Sequence, residues 1–202
     1  MNASIRQNAR VLAVFALLCT GLIAGVYALS KNKIAASQQI QLMDSLNTLI
    51  PASNYDNDLL HDTRLIDNQT LLHLEKPSLV YRARKNGQPI GVIFPVVSPD
   101  GYSGKIHLLV AVANNGQLLG VKVLSHKETP GLGDAIESEK SDWITQFTSK
   151  SLANPVAAHW AVKKDGGQFD QFTGATITPR AVVAAVKNAL LYYQLHQQTL
   201  FD

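Results

Sequence analysis

Between Val11 and Leu29 the chain carries no charged side chain, and this run of 19 residues constrains the fold more than any other stretch. At about 1.5 Å of rise per residue, a helix of that length crosses the hydrocarbon core of a bilayer. Arg6 and Arg10 precede the run, and Lys31 and Lys33 follow it. Two arginines before a first apolar span favour an N-terminus held inside, with the remainder exported. A cleaved signal peptide is the alternative, since Val26-Tyr27-Ala28 offers small residues for cleavage after Ala28. The apolar core of such signals is only about 7–15 residues, so we expect an uncleaved single-pass anchor. Residues 1–10 are then a cytoplasmic N-terminus and residues 11–29 a transmembrane helix.

The four cations flanking this run account for much of the net charge of +3. Without them, 14 of the 18 basic residues remain against 15 acidic ones. The rest of the chain is near neutral and shows no basic patch, so nucleic acid is not an expected partner. Cys19, the only cysteine, lies inside the apolar run. An intramolecular disulfide and a metal site built on cysteines of one chain are both excluded. The six histidines show no ligand spacing, and no metal site is expected.

Residues 30–76 read as a linker and helical lead-in. Ile40, Met43, Leu46, Leu49 and Ile50 fall on one face of a helix over 34–50 that Pro51 ends. The acids that follow (Asp56, Asp58, Asp62 and Asp67) lack the glycine and closing glutamate of a calcium loop, and read as a solvated face. From Ser78 the pattern becomes alternating. Strands are expected at 79–83, 89–97, 105–113 and 118–124, with turns at Asn86-Gly87, Pro99-Asp100-Gly101 and Asn114-Asn115-Gly116. Short turns imply an antiparallel meander. A helix over 137–147 with a Trp143, Ile144, Phe147 stripe, a strand-like piece over 159–163 and a closing helix over 179–197 complete an α+β domain. We expect that domain over 77–202, a mainly antiparallel sheet with flanking helices.

Two segments carry chemistry. The first is Asp170-Gln171-Phe172-Thr173-Gly174-Ala175-Thr176-Ile177-Thr178-Pro179, a turn running into the closing helix. Gly174 and Ala175 allow close backbone approach, Thr178 reads as the N-cap and Pro179 as the first helical residue. A helix N-terminus offers free N–H groups and a positive dipole end to a phosphate. On local physics alone this is equally a capped helix after a glycine turn. The second is Glu128-Thr129-Pro130-Gly131-Leu132-Gly133, an irregular loop after the last strand, which is where ligand loops sit. Read alone, it is more simply a rigid connector. His126-Lys127-Glu128-Thr129 invites an acid–base reading, but no nucleophile or paired carboxylate accompanies it, and no catalytic residue is assigned.

Together these segments resemble the FMN-binding domain family, in order and about 40 residues apart. That family includes the G component of the Rnf electron-transport complex (RnfG) and the C component of the sodium-pumping NADH:quinone reductase. The Thr-Gly-Ala-Thr-Ile-Thr-Pro-Arg wording and the chain length look most like the former. The resemblance implies that Thr176 carries FMN through a phosphoester, attached by a separate flavin transferase that consumes FAD and releases AMP. It implies further contacts from Thr173, Gly174, Ala175, Ile177 and Thr178. Glu128 and Thr129 would meet the polar edge of the flavin ring, Leu132 its face, and Gly131 would allow close approach. Tyr102 could stand beside the ring or be simply part of a loop, Lys163 or Lys164 could neutralise a phosphate, with a solvated lysine the plainer reading of each, and Asp170 could help orient or recognise the acceptor segment.

The same resemblance implies an electron carrier in a bacterial inner-membrane complex coupling NADH–ferredoxin electron transfer to cation transport, its domain on the periplasmic side. No dinucleotide fingerprint or iron–sulfur cysteine set is present, so the chain is not expected to catalyse alone. Two other readings stay open: a non-redox anchored assembly module, and a domain that binds flavin or another phosphate ligand reversibly.

Overall fold

The structure, a computed structural model, describes residues 2–201, and the side chains from Ile5 onward. It divides into two compact units, Met1–Asp44 and Ser45–Asp202. Helix α1 (Asn2–Leu49) is unbroken. The expected pause between an apolar span and a second helix is absent, because Ser30-Lys31-Asn32-Lys33 contains no proline or glycine. Among the described residues α1 is the one helix long and apolar enough to cross a membrane, and Leu12, Phe15, Leu18 and Leu22 on it are exposed.

The second unit is α+β. Strands β1 (Thr63–Ile66), β2 (Ser78–Lys85), β3 (Gln88–Gly101), β4 (Gly104–Ala113) and β5 (Leu118–Ser125) form one sheet in sequence order, every neighbour antiparallel. Four of these match the expected meander. Strand β1 lies in the stretch read as linker. Asp62 beside it is not solvated as expected: it pairs with Arg82 at 2.6 Å and Arg84 at 2.9 Å, which draws β1 onto β2. Asn57 completes the attachment, donating to the Arg82 carbonyl at 2.8 Å and accepting from the Arg84 amide at 2.8 Å.

Both faces of the sheet are covered, which is why β3 reads as a nearly continuous apolar run. Val92, Phe94 and Val96 of β3 join Leu108 and Val110 of β4 in the main core against α2 (Ile177–Phe201). The alternate residues Ile93, Leu109 and Ala111 are buried on the other face, where Leu49 lies against Gly120. The buried Ser98 hydroxyl donates to the Ala181 carbonyl at 2.8 Å and ties β3 to the first turns of α2.

Between β5 and α2 the chain is mostly irregular. Of the expected helix over 137–147 only a 3-10 turn forms, Asp142–Phe147, capped by Ser141, whose hydroxyl accepts from the Trp143 amide at 3.2 Å; another 3-10 turn, Gly133–Ile136, precedes it. The expected apolar stripe survives, with Trp143, Ile144 and Phe147 buried. The expected strand over 159–163 reduces to a single bridge, Val162 with Phe169. Rings fill this region: Phe147 lies 5.4 Å from Trp143, 6.4 Å from Trp160 and 4.8 Å from Phe169, centroid to centroid.

Candidate functional site

Three segments distant in sequence close around a cavity of about 340 Å³. Tyr102 comes from the β3–β4 turn. Glu128, Thr129, Leu132 and Gly133 come from the loop after β5. Gly174, Ala175, Thr176, Ile177 and Thr178 come from the turn into α2.

The turn into α2 is built from local bonds. The Ala175 amide donates to the Phe172 carbonyl at 3.2 Å, and Gly174 sits at φ +80°, a conformation that glycine adopts without a Cβ penalty. The first helical bond runs from the Arg180 amide to the Thr176 carbonyl at 3.3 Å. Thr176 therefore occupies the capping position, and α2 starts two residues earlier than expected. Thr178 is not the cap. It lies in the first turn, is 1% exposed, and sends its hydroxyl inward to Glu128. Pro179 still falls within the first turn, where its missing N–H breaks no helical bond. Among the described residues, no protein group accepts from the amides of Thr176, Ile177 and Thr178. These N–H groups and the positive end of a 25-residue helix suit an anion beside the Thr176 hydroxyl.

Glu128 is 4% exposed and forms the floor of the opposite wall. Its Oε1 accepts from the Ser103 amide at 2.9 Å, and its Oε2 from the Tyr102 amide at 3.2 Å and from the Thr178 hydroxyl. The carboxylate expected to meet a ligand thus already joins all three walls. The loop carrying it is fixed by a chain of polar contacts. The Glu128 amide donates to His126 Nδ1 at 3.0 Å, and His126 Nε2 meets Glu137 at 2.5 Å. Lys140 bridges Glu137 at 3.2 Å and Asp134 at 2.9 Å. The hydrogen bond from His126 holds the Glu137 carboxyl below its ordinary range, and Lys140 and the Gly131 amide do the same for Asp134.

Nine of the expected site residues therefore line one cavity, and four do not. Thr173 and Gly131 are exposed beside it. A Cβ on Gly131 would meet nothing within 4 Å, so within the protein its φ of +76° is what calls for glycine. Lys163 and Asp170 pair with each other at 2.5 Å, their side chains 58% and 61% exposed, away from the cavity lining. Asp170 is nonetheless held in place: its carbonyl accepts the Trp143 indole N–H at 2.7 Å and its amide donates to Gln146 at 3.0 Å. Gly133 is the lining residue that sequence reasoning missed. Its signal was its place at the end of Gly131-Leu132-Gly133, where a second glycine answers a second close approach. Among the described residues no group of three or more His, Cys, Asp or Glu side chains is placed to hold a metal ion.

Comparison with known proteins gives concordant results at both ends of the chain. Residues 101–191 match the model of the FMN-binding domain, and residues 1–49 match that of the RnfG N-terminal region. The chain is 45% identical over 202 residues to the G component of the ion-translocating oxidoreductase complex of Pseudoalteromonas atlantica, covering 100% of this chain and 94% of that one. It is 48% identical over 202 residues to the protein of the same name from Vibrio cholerae, covering 100% and 96%. The Shewanella loihica protein of that name is 46% identical over 202 residues, at 100% and 95% coverage.

Proposed function

The chain belongs to the RnfG family and carries that family's FMN-binding domain, and from this premise we propose that it relays electrons within an ion-translocating oxidoreductase complex through FMN held covalently on Thr176. The observation that carries the proposal is the cavity itself: Thr176 lines it, beside amides at the start of α2 that have no protein acceptor among the described residues. The residues present fit the group. A phosphoester on Thr176 would be held by the N–H groups of Ile177 and Thr178, the apolar side chains of Leu132 and Ile177 would offer a surface to a ring, and Thr129 would offer a polar edge. Bound flavin supplies the capacity to accept and pass electrons, while the chain supplies binding, orientation and electrostatics.

Covalent attachment follows from location. An exported domain has no access to a cytoplasmic flavin pool, and a tether prevents loss of the group. The acceptor must enter a transferase, and Thr176 suits this: it sits in a short turn, and no other side chain contacts its hydroxyl among the described hydrogen bonds. Helix α1 anchors the chain in the inner membrane as a single pass, with Ser45–Asp202 on the periplasmic side. The other proteins of the complex, the flavin transferase and the membrane are its partners.

The test is a denaturing gel of the full chain expressed with and without a flavin transferase. A band fluorescent only with the transferase, together with an FMN adduct on the Thr176 peptide by mass spectrometry, is expected. Thr176→Ala abolishes both. Flavin lost on denaturation points to reversible binding, and a colourless protein in both expressions to an assembly role.

A further inference from the structure

The three walls of the cavity meet at one buried carboxylate. Glu128 holds two consecutive backbone amides, Tyr102 and Ser103, at the tip of the β3–β4 turn, and a buried hydroxyl, Thr178, in the first turn of α2. Tyr102 is 69% exposed and is one of the residues that line the cavity. No hydrogen bond from the tyrosine hydroxyl and no ring contact fixes it among the described residues. Its place over the cavity is set by its backbone, and its backbone amide is held by Glu128.

We propose that Glu128 is a positioning residue: it fixes the β3–β4 tip so that Tyr102 forms the wall that covers the flavin ring, and its charge sets the electrostatics of that wall. This rests on the flavin reading above, and it gives Glu128 a role within the chain's own framework in place of a direct bond to the ring. A carboxylate is the side chain this geometry needs. All three neighbours are donors, and an ionised carboxylate is an acceptor only. A glutamine in the same place turns an NH₂ toward one of the two amides whichever way it is flipped. One amide then faces a donor and loses its partner, even if Thr178 reverses its hydroxyl to accept. The carboxylate is also a fixed negative charge in a shielded position, where charges act more strongly than in water. A negative charge there opposes electron gain by a neighbouring group, so its removal raises the midpoint potential.

The test compares full-length wild-type protein with Glu128→Gln, Tyr102→Ala and the double variant, each produced with and without the flavin transferase. In flavin-free protein, Glu128→Gln is expected to speed hydrogen exchange by about tenfold at one of the two amides, 102 or 103, the loss of one hydrogen bond, with the sheet amides of β3 and β4 unchanged. In flavin-loaded protein, both single variants are expected to raise flavin fluorescence, because a tyrosine against the ring quenches it. The double variant is expected to add nothing to the single ones, the mark of two residues acting through one another. Glu128→Gln alone raises the midpoint potential. Unchanged exchange at 102 and 103, a uniform rise across the sheet, or additive fluorescence overturns the proposal. If Glu128→Gln does not fold, Thr178→Val and the exposed Tyr102→Ala take its place: Tyr102→Ala must raise fluorescence, and Thr178→Val must leave the 102 and 103 amides protected. If wild-type protein carries no flavin on Thr176, the functional reading fails, while the exchange result in flavin-free protein still decides what Glu128 holds.

Discussion

A Cβ on Gly133 would lie 2.7 Å from the hydroxyl oxygen of Thr178. It would also come within 3.0 Å of the Glu128 Cβ. Neither neighbour can move aside, because Thr178 is buried in the first turn of α2 and Glu128 is bonded to three groups. Gly133→Ala is therefore expected to push α2 away from the loop and to cost about 1–3 kcal/mol, the usual range for overpacking. Gly131→Ala, two residues away, meets no atom and costs only the left-handed backbone penalty of about 1 kcal/mol. Urea denaturation of the two variants measures the difference. Equal losses would mean that the close packing of Gly133 on Thr178 does not exist.

The stability of the second unit is expected to fall off at both ends of the pH scale. At the acid end, Glu137 and Asp134 have carboxyls held below their ordinary range, by His126 and by Lys140 respectively. A lowered folded value favours the folded state above the unfolded value, about 4 for these groups, and that contribution disappears as pH falls through the folded value. At the alkaline end, burial pushes the Tyr193 phenol up to about 12, against a weaker opposing hydrogen bond with Gln197. A raised folded value stabilises below about 10 and is lost as pH rises toward 12, on the order of 2 kcal/mol over that interval. Denaturation midpoints across pH 3–12 test both edges. Tyr193→Phe is expected to flatten the alkaline one, and Glu137→Gln to flatten the acid one.

The aromatic cluster that replaces the expected helix and strand has an uneven distribution of stability. Phe147 is fully buried and touches three other rings, so Phe147→Ala is expected to cost about 3–5 kcal/mol. Trp143→Phe keeps a ring in the same place but removes the indole donor to the Asp170 carbonyl. Its expected cost is about 1 kcal/mol, the worth of one hydrogen bond, and the change appears locally as faster exchange around 170–172. A Trp143→Phe loss as large as that of Phe147→Ala would assign the indole a packing role that its N–H does not explain.

The legible parts of this chain were those whose cause is local. Asn86-Gly87 and Asn114-Asn115-Gly116 announce the meander because turn chemistry acts over a few residues. Thr178-Pro179 misplaced the start of α2 because capping preferences say which residues suit a helix end, and the bond from Arg180 to Thr176 decides where it begins. Strand β1 was hidden because its attachment depends on Asp62 meeting Arg82 and Arg84, about 20 residues on. The site was half legible for the same reason. Its two loops could be picked out as segments, but the inward turn of Glu128 toward Tyr102, Ser103 and Thr178 depends on packing that no local pattern encodes.

Lys163 and Asp170 separate two uses of charge near the acceptor turn. Lys163 was a candidate for a phosphate and Asp170 for orienting the acceptor segment, and the structure pairs them with each other at 2.5 Å outside the cavity lining. An exposed pair of this kind contributes little to stability, so neither Lys163→Ala nor Asp170→Asn is expected to shift the denaturation midpoint measurably. Nor is Lys163→Ala expected to change the midpoint potential of loaded protein, since its ammonium is directed at Asp170 and is screened by solvent. Asp170 differs in having its backbone held by Trp143 and Gln146, which fixes where its side chain leaves the chain ahead of Thr176. Asp170→Asn is therefore expected to slow flavin loading several-fold in a timed reaction with the transferase, while Lys163→Ala, which frees the carboxylate, leaves loading equal or faster. Slower loading in Lys163→Ala would show that the transferase reads the ion pair as a unit, and equal loading in Asp170→Asn would remove that carboxylate from the recognised segment.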